Sequence, residues 1–384
     1  MKRTNREPSI RRQGFTLVMV MSVLVLLLIL GWGLMNLGLQ GQIFAIRTCS
    51  QIEARTAADA GLTRALVEMN QLLQKSPFSI DGSLPSATDE ALTDCDATYT
   101  YTVVGDKSSG YKIQSTGKSG TQQRTVNASL RLRGLFDFGI IVKERAVFYS
   151  GTLVDGYNSS DLTDKDVWVQ VASVNPDPHS VILKSGAVVD GEILFGVDYD
   201  FPTVTWPAVP NIGTELSVKG KTVTLQPADS GIYSAVTMLG DTLPGVIEVA
   251  GGDVVLCVAG DVWMGQGCEL VIKQGASLRI FINGNWVAGN SSGINNETQI
   301  PGNFAIYGTG QNQTLDLKAK TDWYGTIYAP EADISINAKS DVYGAIVGNT
   351  FDSKSCALIN YDAALRKVDV DDIGVRFAID RWSE

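Results

Sequence analysis

The sequence predicts a mainly β protein with a long N-terminal α-helix. The helix carries a small antiparallel sheet and is followed by a parallel (right-handed) β-helix solenoid. Three observations lead there. No Asp, Glu, Lys or Arg occurs from Gln13 to Ile46, and no proline between Pro8 and Pro77. Runs rich in Thr, Tyr and Val alternate in polarity between 98 and 134, as half-buried strands do. Farther on, short apolar runs separated by Gly, Asn and Asp echo one another at nearly fixed spacing, the mark of a repeat architecture.

The helix comes first. Its charge-free part, densest from Phe15 to Leu30, exceeds the roughly 20 residues that cross a bilayer. Lys2, Arg3, Arg6, Arg11 and Arg12 precede it, so the N-terminus is expected to stay cytoplasmic and the rest to be exported. The helical pattern then continues: Leu62, Leu66, Met69 and Leu73 form one apolar stripe. Pro77 stops it. Residues 15–75 are therefore expected to make one helix, apolar all round in its first half and amphipathic in its second. Gly31, Gly33, Gly38 and Gly41 each cost up to about 1 kcal/mol relative to alanine. They mark either a bend or a surface for close helix packing.

"GFTLVMVMSVLVLLLIL" resembles the N-terminus of a type IV pilin or a type II secretion pseudopilin. "ARTAADAGLTRAL" (54–66) resembles the corresponding segment of PilX-type minor pilins. The resemblance implies a prepilin leader at 1–14, cut by a prepilin peptidase between Gly14 and Phe15, with N-methylation of the new Phe15 terminus. Pilins carry a glutamate five residues after the cut, and here that position is Met19. A carboxylate at mid-bilayer costs about 2.5–3.5 kcal/mol, which pilins accept because it pairs with a neighbouring subunit's terminal amine. Among pseudopilins the subunit lacking it resembles the one at the tip. The resemblance thus implies a tip or priming role. The simpler alternative is a single-pass anchor that does not assemble.

After a polar connection, "TYTYTVVG", "YKIQSTG" and "QQRTVNASLRLRG" read as three antiparallel strands of a small pilin-like β head at 76–135. The solenoid is expected at 136–365. "VAGDVWM" (258–264) repeats as "INGNWVA" (282–288), and "WYGTIYAPEADISI" from Trp323 repeats as "VYGAIVGNTFDSKS" from Val342. In register, Tyr324 stacks on Tyr343, Gly325 on Gly344 and Ile327 on Ile346, with the isoleucines inside and Thr326 and Ala345 on the other face. An antiparallel sandwich is the alternative. "NYDAALRKV" (360–368) is expected as a short helix closing the C-terminal end, and 366–384 as a tail. The stretch from 140 to 365 resembles a β-helical domain of unknown function found behind PilX-type N-termini, which brings no active site.

The chain's net charge is −10, with no basic stripe after the first dozen residues, which argues against nucleic acid. Cys49, Cys95, Cys257, Cys268 and Cys356 form no C-x-x-C pair, so zinc is not expected. The apolar flanks of Cys257 and Cys268 favour buried thiols over a disulfide. The single histidine, His179, sits in a loop. Asp198 and Asp200 read as solvated acids on a proline-rich excursion that also holds Trp206. Trp206, Trp263, Trp286 and Trp323 are either core residues or platforms for sugars. "DVDDIGVRFAID" (369–380) matches some calcium-loop positions, but Ile373 and Asp380 break the pattern. No metal, cofactor or catalytic residue is expected.

The function expected is a non-catalytic minor pilin-like or pseudopilin-like component of a type IV pilus or type II secretion system. Its partners are other pilins or pseudopilins, the prepilin peptidase, the inner membrane and a surface or polysaccharide ligand. A periplasmic β-helix serves binding or adhesion. The alternative is a membrane-tethered β-helical carbohydrate-active enzyme.

Overall fold

The structure, a computed structural model, describes residues 15–73, 84–161, 163, 167–319, 321–338, 341–354 and 358–384. They fall into two units, one built from 15–73, 84–131 and 377–384, the other from 132–376.

In the first unit, α1 (Phe15–Leu73) is one unbroken helix of 59 residues, about 90 Å long at ~1.5 Å per residue. It runs straight through the four glycines, where an added Cβ would meet no atom within 4 Å. Pro77 lies outside the described residues. The helix packs on β2 (Thr98–Asp106) and β3 (Gly110–Ser119). The buried stripe keeps Leu62 and Met69 of the stripe expected from the sequence but is otherwise made of small residues. It is Ala54, Ala58, Gly61, Leu62, Ala65 and Met69, while Leu66 and Leu73 are only half-buried. Small residues win because backbone meets backbone here. A Cβ on Gly117 would stand 2.0 Å from the Ala54 carbonyl oxygen and 2.5 Å from the Ala58 nitrogen.

β4 (Gln122–Arg133) extends the antiparallel sheet. Two further strands join it. β1 (Ser86–Ala91), inside the stretch read as a polar connection, pairs antiparallel with β2 across an irregularity between Ala87 and Glu90. It is mostly exposed, so burial left no apolar alternation to read. A bulged, acidic edge of this kind resists pairing with other chains. Arg376–Ser383, read as part of a tail, lies beside β4. Phe377 is buried edge-on against the Tyr111 ring, with centroids 5.2 Å apart.

All described pairings of the second unit are parallel, which rules out the antiparallel sandwich. Val254–Val258 lies in register with Leu278–Ile282, and Val262–Met264 with Trp286–Ala288. Tyr324, Gly325 and Ile327 face Tyr343, Gly344 and Ile346. A separate four-stranded sheet, Thr222–Leu225, Val246–Val249, Glu269–Ile272 and Gly293–Asn296, stacks with the same period. One buried apolar ladder crosses the larger sheet: Leu256, Ile280, Ile306, Ile327, Ile346, Ile140 and Val171.

Two features of this unit depart from expectation. First, order in space is not order in sequence. Ile140–Phe148 pairs with Val342–Ser353 on one side and with Val169–Ser173 and Val181–Leu183 on the other. The early strands thus continue the stack where the late ones leave off. Ala363–Arg366 is a single 3-10 turn, capped by Asp362 accepting from the Ala364 nitrogen, and the strand before it, Leu358–Asp362, is paired on both sides, with Val342–Gly344 and with Leu153–Tyr157. Second, the sheet is apolar on both faces. The residues one step along the interior ladder form another: Ile232, Cys257, Phe281, Tyr307, Tyr328, Val347, Ile141 and Ala172. Thr326 and Ala345 are buried as well.

A strap of irregular chain, 197–209, covers this outer ladder with Tyr199, Phe201, Val204, Trp206 and Val209. Tyr328 OH donates to the Pro202 carbonyl at 2.7 Å and Trp206 Nε1 to Thr309 Oγ1 at 2.9 Å. Arg133 and Arg376 both lie 5.1 Å from the centre of the Tyr199 ring.

Candidate functional site: the exposed apolar helix

From Leu17 to Ile46 the large apolar side chains of α1 are exposed. Exposed apolar surface on this scale is far beyond what a soluble chain leaves uncovered. By length and composition the helix is able to cross a membrane. Ser22 Oγ donates to the Val18 carbonyl at 2.8 Å, so its hydroxyl is satisfied within the helix. Gly14 lies outside the described residues, Phe15 is the first residue of α1, and the Met19 side chain is 63% exposed.

The second half of α1 is fastened to its sheet by buried or half-buried polar pairs. Ser119 Oγ donates to Glu53 Oε2 at 2.6 Å, and Tyr101 OH to Glu68 Oε2 at 2.7 Å. Asn70 acts as a short mimic of a strand. Its Nδ2 donates to the Phe377 carbonyl at 3.1 Å and its Oδ1 accepts from the Phe377 nitrogen at 2.7 Å. The apolar stretch and the fold-bearing stretch are therefore one continuous helix, exposed in its first half and docked in its second.

The remaining candidates from the sequence are scattered. His179 sits on an exposed turn, its Nδ1 2.9 Å from Asp177 Oδ1. Asp198 and Asp200 are exposed on the strap, and the Asp200 carbonyl accepts from Arg376 at 2.9 Å. Trp286 and Trp323 are buried core, Trp206 belongs to the strap, and Trp263 is half exposed. Cys257 and Cys268 are buried free thiols, and burial pushes the Cys257 thiol up to about 11. Cys356 lies outside the described residues. In the 369–380 stretch the Asp372 carboxylate accepts from the Asp369 nitrogen, and from Arg376 onward the chain is strand. Among the described residues no group of three or more His, Cys, Asp or Glu side chains could hold a metal.

A family model described as "Domain of unknown function (DUF7305)" matches residues 209–368. The matched stretch opens at the last residue of the strap and runs through the 3-10 turn at Ala363–Arg366. No curated protein matches the chain. Among solved structures, the chain aligns with the competence-associated pilin ComZ from Thermus thermophilus. That alignment has 13% identity and covers 87% of this chain and 97% of the other. Its TM-score is 0.24, too low to establish a shared fold.

Proposed function

We propose that this chain is a non-catalytic minor pilin-like or pseudopilin-like membrane protein of a type IV pilus or type II secretion system. One observation carries the reading: a single unbroken helix from Phe15, exposed and apolar from Leu17 to Ile46, then docked through Ala54–Met69 on an antiparallel sheet. An anchor made only to tether would need no rigid continuation into the fold it carries. A filament subunit does, because the same rod packs against its neighbours while presenting its head. In this reading prepilin peptidase cuts between Gly14 and Phe15, the Phe15 amine is methylated, and α1 passes from inner membrane to filament core. The second unit is exported to the periplasmic or outer face as a β-helix, its parallel ladders being successive coils, and serves binding or adhesion. Met19 supports a tip or priming role in this reading, since it offers no carboxylate to a neighbour's terminal amine.

The test is incorporation. In the parent cell, the wild-type chain is expected in sheared filaments, with gold label concentrated at their ends, and Gly14→Val is expected only in membranes. Met19→Glu is expected to spread the label along the shaft. A wild-type chain absent from filaments, or one spread evenly along them with Met19→Glu unchanged, contradicts the assembly role or the tip role respectively.

A further inference from the structure

The strap 197–209 does not line the whole outer face of the large sheet. Beside it, flanked by the segment 362–373, a cleft of about 470 Å³ opens on the same face, within the range of about 300–1,000 Å³ usual for ligand sites. It is lined by Ser277, Arg279 and Tyr307, by Asp253 and Asp372, and by Lys367, whose Nζ donates to Ser160 Oγ at 3.3 Å. Ser277 and Arg279 belong to the strand Ser277–Ile282, and Tyr307 to Phe304–Gly308.

Two groups in this cleft are unspent. Arg279 is half-buried yet makes no ion pair or hydrogen bond to a described residue. A guanidinium at that depth is ordinarily paired, because desolvating it unpaired is costly. The Tyr307 side chain is more than nine-tenths buried, its ring stacked on Phe281 with centroids 4.8 Å apart. The residue lines the cleft, and its hydroxyl has no hydrogen-bond partner among the described residues. Burial pushes the phenol up to about 12, so it is a donor at any physiological pH.

The acids on the walls behave differently. Asp362 is buried and committed, accepting from Ser159 and from the Ala364 nitrogen. Asp253 accepts from Ser277 Oγ at 2.6 Å and remains exposed. Ile300 and Leu365 supply apolar wall.

We infer that this cleft binds an acidic sugar, a uronic-acid residue whose carboxylate is held by Arg279 and whose ring hydroxyls are held by Tyr307, Ser277 and Asp253. The guanidinium fork matches a carboxylate in shape and charge. Exposed Asp253 and Asp372 beside it weigh against a compact, highly charged anion such as phosphate. They suit a singly charged ligand rich in hydroxyl donors, and the apolar walls suit the C–H faces of a sugar ring. The inference deepens the reading of the second unit as a binding module and does not depend on how α1 assembles.

The test is calorimetric titration of the full chain in detergent with digalacturonate, with galactobiose as its neutral counterpart and acetate as the bare carboxylate. Digalacturonate is expected to bind, with galactobiose and acetate each at least about tenfold weaker, the scale of one charge-assisted contact. Arg279→Gln is expected to lose about tenfold or more and to make the two disaccharides equal. Should that variant fail to fold, Tyr307→Phe, which removes one oxygen, is expected to weaken digalacturonate severalfold at an unchanged melting temperature. Absence of digalacturonate binding at millimolar concentration overturns the inference. So does equal binding of both disaccharides by the wild type, or binding unaffected by either variant. None of these outcomes bears on filament incorporation, which is read separately.

Discussion

Gly117 has no room for a side chain. Its missing Cβ is where the Ala54 carbonyl and the Ala58 amide of α1 approach the sheet. Gly117→Ala is expected to destabilise the first unit by about 1–3 kcal/mol, the usual cost of overpacking, measured as a lower unfolding midpoint in detergent. An unchanged midpoint would mean that helix and sheet are not in contact there. Gly117 was not legible in the sequence, because nothing local distinguishes a glycine that turns from one that makes way. Ile346 was more legible. It is buried in the interior ladder, and Ile346→Ala is expected to cost about 2–5 kcal/mol. Thr326 is buried too, its Oγ1 3.4 Å from the Phe304 carbonyl, so Thr326→Ala is expected to cost about 1 kcal/mol rather than nothing. Denaturant titration of both variants checks the ranking. Cysteine exposure gives a third test at this scale. Cys49 is exposed, while Cys257 and Cys268 are buried. Maleimide mass labelling of the native chain is expected to modify Cys49 and spare the other two until denaturant is added.

The turn between β2 and β3 illustrates what an element adds to its residues. The Asp106 carboxylate accepts from the Ser108 hydroxyl at 2.6 Å and from the Ser109 and Ser108 nitrogens at 2.8 Å. These bonds hold its pKa down at about 2, against an ordinary 3.8. A pKa lowered by folding contributes stability that is complete above the unfolded value and is lost as pH falls through the folded one. The hairpin is therefore expected to loosen between about pH 4 and pH 2, and Asp106→Asn to flatten that part of the acid unfolding curve. An Asp106 carboxylate titrating at its ordinary value by NMR would contradict this. The strap is a different kind of element. Its prolines cannot donate to a sheet ladder, so it reads as a loop, yet it packs side chains over a sheet face. The outer ladder was hidden for a related reason. Strands buried on both faces read as continuous apolar runs, and alternation then says nothing about a second face. Arg279 was overlooked as a lone cation within such a run.

At the scale of the whole molecule, the repeats at 258–288 and 323–348 were legible because parallel stacking places like residues at like positions. The return of 140–195 to the far side of 342–353 was not. No local signal records which strand will be neighbour to which once the chain turns back. The long helix was legible because membrane length, absence of charge and absence of proline all act over tens of residues. Its docking stripe was not, since alanine and glycine carry little periodic signal. In the function proposed above, the exposed apolar half of α1 serves membrane and filament, and the stacked parallel unit serves display. That function depends above all on the chain being processed as a prepilin. The direct measurement is the mass of the N-terminal peptide, taken from membranes of cells with and without prepilin peptidase. With the enzyme, the account predicts a peptide beginning at N-methylated Phe15, and without it one beginning upstream of Gly14. A peptide that retains the residues before Phe15 in both strains would contradict it.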